Sequence, residues 1–458
     1  MMAMQLSEAA QVLDGRCVTG DVFFRGISTD TRQLQAGNLF VALQGPNFDG
    51  HDFLEAARAQ DAAAAIVSRL QETALPLLEV DDTRLALGRL AANWRSRFAL
   101  PVVAITGSNG KTTVRAMTDA ILSRVGRTLS TRGNLNNDIG LPLTLARLSK
   151  DDRFAVIEMG ANHPGEIDYL TRLARPTIAV VTNAGPAHLE GFGDLEGVAR
   201  AKGVVFTRLA SGGTAVINAD DRFAPLWREL AVAARVIDFG LEQPAAVQAD
   251  WKGDVSGSRV LLKTPRGEVE IMLPVPGRHN VMNALAATAA ALAAGADLET
   301  VRQGLESLTP VAGRFNVQHL PNGVTLIDDT YNANPESLQV ALDVLAMAPG
   351  ETWLVLGDMA ELGSESATLH REAGRRARHV GIDRVFGLGE LARGAVEAFG
   401  DQGAAFDTLE ALLAALHGLR RADLHILVKG SRGMRMERVV KALGGRVHSA
   451  SIQPEPRR

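Results

Sequence analysis

Short apolar runs that end in polar residues recur along the chain. In its middle part these runs are Val102–Ile105, Val156–Ile157, Val180–Val181 and Val216–Ile217, and Thr, Glu or Asn follows each of them. Stretches with helical periodicity separate the runs. This alternation is typical of parallel strands joined by helices, in which the polar residues gather at the carboxyl edge of one sheet.

The same pattern returns on both sides of this middle part. Further strands are predicted at Leu39–Leu43, Ala64–Val67, Leu326–Asp329, Leu354–Asp358, Val385–Gly387 and Ile426–Lys429. An Ala-rich helical stretch, Phe53–Ala59, separates the first two. We therefore expect an α/β protein of three domains: a small N-terminal α/β domain (residues 1–98), a central parallel-sheet domain (99–313) and a C-terminal Rossmann-like domain (314–458).

Composition excludes several classes of protein. The 458 residues carry a formal net charge of −4 from mixed acids and bases, which argues against a nucleic-acid footprint or a polybasic membrane anchor. Cys17 is the only cysteine, so no intrachain disulfide can form. The Ala-rich run around 284–294 is too short to span a bilayer and predicts a buried helix. We expect a cytoplasmic monomer with no membrane insertion and no nucleic-acid partner.

A phosphate-binding loop follows the first strand of the middle part. The segment Thr106–Thr113 reads Thr-Gly-Ser-Asn-Gly-Lys-Thr-Thr and leads into a helix predicted to start near Lys111. Backbone N–H groups and the helix dipole would cradle an anion, Lys111 would reach the outer phosphates, and Thr112 would offer a hydroxyl to Mg²⁺. Ile105 stands where the Walker pattern has its first glycine, so the loop is a shortened variant. ATP use follows, with the contacts coming from Gly107, Ser108, Asn109, Gly110, Lys111, Thr112 and Thr113.

Four further residues are ambiguous when judged alone. Glu158 ends a strand beside this loop and suits a Mg²⁺ ligand, although an isolated Glu there is more often a solvated carboxylate. His188 follows a third strand, where a loop histidine is commonly a surface or capping residue. Lys202 lies in an amphipathic stretch, and its chemistry alone favours a solvated lysine. Asn283 opens the Ala-rich helix, where capping is favoured over binding an adenine edge.

Taken together, these motifs resemble those of the Mur ligase family over essentially the whole chain. The matching segments, in order, are Thr106–Thr113, Glu158–His163, Thr182–Phe192, Ala201–Gly203, Gly277–Asn283 and Gly313–Arg314. Two more, Asp328–Pro335 and Gly357–Gly363, resemble the branch that adds D-alanyl-D-alanine. Ser28–Arg32 and Gly45–Asp52 resemble that branch's uridine-nucleotide domain.

The resemblance assigns roles to individual residues. It implies a catalytic centre of Lys111, Glu158, His188 and Lys202, with Thr112 and Glu158 on one Mg²⁺ and His188 with a carbamylated Lys202 on a second. It implies adenine at Asn283, ribose at Asp329 and phosphates at Arg314. The implied contacts of the UDP-N-acetylmuramoyl-tripeptide and the dipeptide are Ser28, Asp30, Arg32, Asp49, His51, Asn134, Asn136, Asn137, Asn332, Asn334, Lys429, Ser431 and Arg432. Of these, Lys429, Ser431 and Arg432 would hold the carboxylate of the dipeptide.

The implied reaction is ATP-dependent amide formation through an acyl phosphate, in peptidoglycan precursor synthesis. The implied architecture is a uridine-nucleotide domain, a P-loop ATPase domain and a Rossmann-like domain. Two alternatives remain open at this point. The chain could be a ligase that adds a single amino acid, or a nucleotide-dependent module that senses a sugar nucleotide without ligating it. Glu158, His188 and Lys202 together argue against the sensor, which needs only the phosphate cradle.

Overall fold

The computed structural model describes residues 1–186, 189–309, 311–417 and 423–447. Within them the chain forms three α/β units in sequence, each around a largely parallel sheet. None of the helices in these ranges is long and apolar enough to cross a membrane.

The N-terminal unit is built on a short sheet. Its elements are β1 (Ala3–Gln5), α1 (Leu6–Leu13), β2 (Arg16–Cys17), β3 (Phe23–Arg25), β4 (Ile27–Ser28), β5 (Leu39–Val41), β6 (Gln44–Gly45), β7 (Phe48–Asp49), α2 (Leu54–Ala59), β8 (Ala64–Val67), β9 (Leu77–Glu79) and α3 (Thr83–Ser96). The strand order is β2-β9-β8-β5-β4, parallel except for β2. Asp82 starts α3, because its carboxylate accepts hydrogen bonds from the N–H groups of Arg84 and Leu85.

The central unit carries a fully parallel sheet. Its elements up to the last strand of that sheet are β10 (Val102–Thr106), α4 (Lys111–Val125), β11 (Thr128–Ser130), α5 (Gly140–Leu145), β12 (Phe154–Glu158), α6 (Glu166–Ala174), β13 (Ile178–Val181), α7 (Leu189–Phe192), α8 (Leu195–Thr207), β14 (Thr214–Asn218), α9 (Ala224–Leu230) and β15 (Arg235–Phe239). The strand order is β11-β12-β10-β13-β14-β15. Since β10 lies between β12 and β13, the direction of winding reverses at its carboxyl end.

The central unit also contains an antiparallel sheet that our sequence analysis did not predict. It consists of β16 (Gln248–Asp254), β17 (Gly257–Thr264) and β18 (Gly267–Leu273), and is followed by α10 (Arg278–Ala293) and α11 (Leu298–Glu306). Alternate residues such as Val260, Leu262 and Ile271 are buried in the core shared with α4 and α10. This alternation of buried and exposed residues with a period of two is the sequence pattern that indicates such strands. The predicted Ala-rich buried helix is confirmed as α10.

The C-terminal unit is a second doubly wound sheet, as expected. Its elements are β19 (Asn316–His319), β20 (Thr325–Asp329), α12 (Pro335–Leu345), β21 (Glu351–Gly357), α13 (Ser366–His379), β22 (Arg384–Leu388), α14 (Glu390–Phe399), β23 (Gly403–Phe406), α15 (Leu409–Ala415), β24 (Leu424–Lys429) and α16 (Glu437–Ala442). The strand order is β19-β20-β24-β21-β22-β23, parallel except for β19.

Helices α8 and α9 meet at a close contact that fixes the helix carrying Lys202. Trp227 of α9 is fully buried, and its indole N–H donates to the carbonyl of Ala199 at 3.0 Å. A Cβ on Gly203 would lie 2.8 Å from the Trp227 ring, so only glycine allows this approach. The residue after Lys202 is therefore selected by packing, and it sets the position of α8 against the sheet.

We expect Trp227→Ala to lower the free energy of unfolding by about 3–5 kcal/mol, the usual cost of truncating a buried aromatic side chain. Chemical denaturation followed by far-UV circular dichroism measures the change. Val232→Ala is the matched control, since Val232 is 88% exposed just after α9 and its truncation should cost no more than about 0.5 kcal/mol. Equal effects of the two substitutions would show that the α8–α9 contact is not a stabilising one.

Candidate functional site

The candidate site lies where the winding of the central sheet reverses. The phosphate loop leaves β10, Glu158 ends β12 on one side of it, and Thr182 follows β13 on the other. Ligands of open α/β sheets bind in the crevice at such a reversal. The sheet thus brings together three segments that are far apart in sequence.

The loop itself is held rigidly by the segment after β13. The N–H groups of Ser108 and Asn109 donate to the main-chain and side-chain oxygens of Asn183, at 3.0 and 2.9 Å. The Thr182 hydroxyl donates to the Asn109 carbonyl at 2.6 Å. Two of the N–H groups expected to cradle phosphate are thus already paired. The first turn of α4, which begins at Lys111, supplies the free N–H groups for an anion.

Lys111 is poised over the loop. Its ammonium donates to the carbonyls of Gly107 and Ser108 at 2.7 and 3.0 Å. Burial lowers the pKa of Lys111 to about 8, with Arg314 acting in the same direction and Glu158 opposing it. A desolvated cation at the mouth of a helix N-terminus is suited to an anionic ligand that restores its charged form.

Glu158 is buried and carries one unpaired oxygen. Its Oε1 accepts from the Thr112 hydroxyl at 3.2 Å and from the Asn136 amide at 2.8 Å. Its Oε2 has no hydrogen-bond partner among the described residues, and Arg115 Nε lies 3.6 Å away. A hydroxyl beside a buried carboxylate with an open oxygen fits the hard oxygen ligands that Mg²⁺ prefers. The solvated-carboxylate alternative for Glu158 is wrong.

Two of the contacts of Glu158 were not predicted from the sequence. Asn136 is expected on the sugar-nucleotide side of the cleft, a role that stays a prediction, and the structure shows that its amide contacts Glu158. Arg115 was not singled out at all, although its spacing of four residues from Lys111 puts both on one face of α4. That spacing was the sequence pattern from which Arg115 could have been predicted at the site.

Lys202 is not a solvated lysine, contrary to what its local sequence favours. It is 2% exposed, and its ammonium lies 5.7 Å from the centroid of the Phe192 ring. Burial and, after it, the charge of Lys111 lower the pKa of Lys202 to about 7, while Glu166 opposes the shift. Its amine is therefore substantially neutral near pH 7, which is the reactive form of a lysine.

The second metal site implied by the resemblance includes His188 besides Lys202. His188 lies outside the described residues. The described part of the chain contains no group of three or more His, Cys, Asp or Glu side chains that could hold a metal ion.

Asn283 faces the loop and does not cap a helix. Helix α10 begins at Arg278, so Asn283 lies beyond its first turn. It is 8% exposed, and a Cβ on Gly110 would lie 2.4 Å from its Oδ1. The capping alternative is therefore wrong, and Asn283 packs against the phosphate loop at Gly110.

The C-terminal unit reaches over the loop. Arg314 Nη2 lies 3.4 Å from the Thr112 hydroxyl, and its guanidinium stacks 4.0 Å from the centroid of the Tyr331 ring. Arg432 lies 5.8 Å from the same centroid, and its side chain is 33% exposed. Tyr331 thus contacts two arginines, one directed to the phosphate loop and one expected at the acceptor.

The remaining residues expected at the acceptor are engaged within the protein. Lys429 Nζ lies 2.5 Å from Asp329 Oδ2 and donates to the Asn332 carbonyl at 3.0 Å. The Ser431 hydroxyl accepts from the N–H of Ala360 at 2.7 Å. Asp329 and Lys429, expected at the ribose and at the dipeptide, thus neutralise one another. Arg432 lies 3.7 Å from Glu437 Oε2, and with a side chain that is 33% exposed it retains a partly accessible cation.

Two of the residues expected at the uridine nucleotide, Asp49 and His51, contact each other. His51 is buried, and since its Nε2 accepts from the N–H of Ser68 at 3.0 Å, its Nδ1 carries the proton shared with Asp49 at 2.6 Å. Hydrogen bonds from His51, first from its backbone N–H, together with one from Arg69 lower the pKa of Asp49 to about 2. His51 thus shapes the end of the β6–β7 hairpin, where the half-buried Asp49 also pairs with Arg69 at 2.7 Å.

The other polar residues expected here have local partners. Ser28 bonds with the backbone of Asp30, and Arg32 pairs with the Asp30 carboxylate. Asn137 Oδ1 accepts from the N–H of Gly140 at 2.9 Å, which starts α5. The structure gives Asn134 a backbone contact, from the N–H of Asn136 to its carbonyl.

Comparisons with known proteins agree with this geometry. Three family models match: the Mur ligase family catalytic domain at residues 24–95, the Mur ligase middle domain at 105–291, and the Mur ligase glutamate ligase domain at 313–432. A UDP-N-acetylmuramoyl-tripeptide–D-alanyl-D-alanine ligase from Escherichia coli K12 is 45% identical over 97% of this chain and 99% of its own.

Solved structures give the same result. A MurF crystal structure from Acinetobacter baumannii has a TM-score of 0.92 at 37% identity, covering 97% of this chain and 99% of that one. The MurF ligase of Thermotoga maritima, solved in complex with ADP, has a TM-score of 0.82 at 29% identity, covering 92% of this chain and 97% of that one. The chain therefore belongs to the Mur ligase family.

Proposed function

We propose that the chain is an ATP-dependent ligase that joins D-alanyl-D-alanine to the terminal carboxylate of UDP-N-acetylmuramoyl-tripeptide, in peptidoglycan precursor synthesis. The observation that carries this proposal is near full-length similarity to ligases named for that reaction, at 45% identity over 97% of the chain. The site adds the phosphate loop, the desolvated lysines and an accessible arginine. We place the enzyme in the cytoplasm as a monomer.

The chemistry starts from an unreactive donor. A carboxylate is a poor acyl donor because oxide cannot leave, so the γ-phosphoryl group of ATP is first transferred to a carboxylate oxygen, giving an acyl phosphate and ADP. The amine of the dipeptide then attacks the carbonyl carbon, and the tetrahedral intermediate expels phosphate. Lys111 offsets the repulsion between the carboxylate and the phosphates.

Metal ions have a defined place in this proposal. Thr112 and Glu158 would hold a Mg²⁺ at the phosphates, since they offer a hydroxyl and an open carboxylate oxygen. His188 and a carbamylated Lys202 would hold a second. Bound Mg²⁺ supplies neutralisation of the phosphate charge.

The state of Lys202 supports its carbamylation. The neutral amine attacks the carbon of CO₂, a C–N bond forms, and the nitrogen releases a proton to leave an anionic carbamate. With a pKa of about 7, about half of the amine is in the reactive form at neutral pH. The modification would replace a buried cation that repels Lys111 with an anion that attracts it.

The C-terminal unit would bring the acceptor. Arg432 would hold the dipeptide carboxylate, because a guanidinium binds carboxylates bidentately. A dipeptide places its amine about 3.5 Å further from its carboxylate than a single amino acid does. The distance between Arg432 and the acyl phosphate would thus select the dipeptide. Arg314 would meet the phosphates, Asn283 the adenine and Asp329 the ribose.

The acceptor panel tests the proposed reaction. With ATP and the tripeptide nucleotide as donor, we expect kcat/KM for D-alanyl-D-alanine to exceed that for D-alanine, L-lysine or diaminopimelate by at least about 100-fold, since a single residue cannot span from Arg432 to the acyl phosphate. Amide product is measured by mass spectrometry. A single amino acid as the preferred acceptor would refute the dipeptide assignment and favour the alternative ligase.

Lys202 tests the carbamate. Lys202→Arg keeps a cation but cannot form a carbamate near neutral pH, so we expect its turnover to fall by at least about 100-fold. Lys202→Ala should be equally slow, and added formate or acetate should restore part of its rate by supplying a free carboxylate. Depletion of CO₂ should slow the enzyme that carries no substitution. Raising the pH through 7 should favour renewed carbamylation of Lys202, because it neutralises the amine. Full activity of Lys202→Arg would contradict the carbamate.

A further inference from the structure

The side chain of Asn109 joins the phosphate loop to the C-terminal unit. Its Nδ2 donates to Glu336 Oε2 at 2.7 Å, and its Oδ1 accepts from Asn334 Nδ2 at 3.0 Å. Both polar atoms of the amide are thus used, and both partners belong to the first turn and N-cap of α12. We call Asn109, Asn334 and Glu336 the Asn109 clasp.

The orientation of each partner in the clasp is fixed independently. Asn334 Oδ1 caps α12 by accepting from the N–H of Ser337 at 2.8 Å. Its Nδ2 must therefore point away from the helix, toward the loop. Asn109 in turn has to present its oxygen to Asn334 and its nitrogen to Glu336. An amide is the one side-chain group of this size that offers an acceptor and a donor side by side.

Neither half of the clasp is free to move by itself. The backbone of Asn109 is held on both sides, by Asn183 at its N–H and by Thr182 at its carbonyl. Glu336 lies against Gly185, where a Cβ would come within 2.1 Å of its Oε2. Gly185 exchanges two hydrogen bonds with the Ser108 side chain, at 2.9 and 3.0 Å. The carboxylate is thus seated in a notch formed by the phosphate loop and its neighbour.

We infer that Asn109 is a positioning residue, which through Asn334 and Glu336 sets the C-terminal unit over the phosphate loop so that the acceptor, and not water, meets the acyl phosphate. This inference deepens the proposed function and rests on it. The same unit carries Arg314 and Arg432, so a shift of α12 away from the loop moves both arginines. An acyl phosphate hydrolyses readily, and a misplaced domain would expose it to water.

The test exchanges the donor and the acceptor within the clasp. Asn109→Asp places a carboxylate against Glu336, whereas Asn109→Asp combined with Glu336→Gln restores one donor and one acceptor. With ATP, tripeptide nucleotide and D-alanyl-D-alanine, the measurements are kcat/KM for the dipeptide and the phosphate released per amide formed. For Asn109→Asp we expect kcat/KM for the dipeptide to fall by at least about tenfold, as for loss of a hydrogen bond to a charged group. The ratio of phosphate released to amide formed should rise above unity.

The double variant, Asn109→Asp with Glu336→Gln, should recover most of the lost kcat/KM and bring phosphate release back close to one per amide. A damaged fold would not recover in this way. Asn334→Asp removes the amide donor but keeps an N-cap oxygen for α12, so it should reproduce the uncoupling. Glu397→Gln, which removes an exposed carboxylate of α14, is the control and should behave as the unaltered chain does.

Thermal unfolding of the same variants provides a readout that does not need the reaction. We expect the loss of stability in Asn109→Asp to be partly reversed by Glu336→Gln, a coupling between two residues 227 positions apart. Failure of the proposed function would appear as an unaltered chain that forms no amide, with the thermal coupling still present. Unchanged coupling of phosphate to amide in Asn109→Asp, or a double variant no better than the single ones, would overturn the inference.

Discussion

The site depends on two ammonium groups that the fold has separated from water. Lys111 and Lys202 each lose hydration at the edge of the central sheet, and the charge of Lys111 makes that of Lys202 less favourable. A protein keeps such groups only where an anion or a change of protonation compensates them. In the proposed function, phosphates over Lys111 and a carbamate at Lys202 would meet that requirement, and the Glu158 oxygen that lacks a hydrogen bond would be available to a cation.

The remainder of the architecture keeps these groups in place. The reversal of winding at β10 leaves room for the loop, and Asn183 and Thr182 fix its backbone. The contact between Gly203 and Trp227 sets α8, and hence Lys202. On the far side of the cleft the C-terminal unit meets the loop at Asn109. In the proposed function, binding of the nucleotide and placement of the acceptor would thus depend on one short loop.

Much of this fold follows from local pattern, because parallel strands carry their own signal: an apolar run that closes on a polar residue. The strands that hold the loop, Glu158 and Thr182 were predicted within a few residues of their observed ends. The antiparallel sheet from Gln248 to Leu273 was missed, since buried and exposed residues alternate along much of its strands and no helical stretch separates them. Domain bounds and site roles remain predictions.

Side-chain partners were harder to foresee because they arise between distant parts of the chain. Lys429 and Asp329 neutralise one another across neighbouring strands β24 and β20, which the sequence separates by 100 residues. Asn136 faces Glu158 for the same reason. The burial of Lys202 is likewise a property of α8 packed on the sheet and not of its own helix, whose sequence favours a solvated lysine. Only the family resemblance pointed to it.

The proposed reaction depends on a carboxylate that is activated by phosphoryl transfer, and isotope transfer tests that step most directly. The terminal carboxylate of the tripeptide nucleotide is labelled with heavy oxygen, the ligation is run with ATP and D-alanyl-D-alanine, and the released phosphate is analysed by mass spectrometry. An acyl phosphate breaks between carbon and oxygen when the amine attacks, so one labelled oxygen should appear in phosphate for each amide formed. Unlabelled phosphate, or label in AMP, would contradict the account.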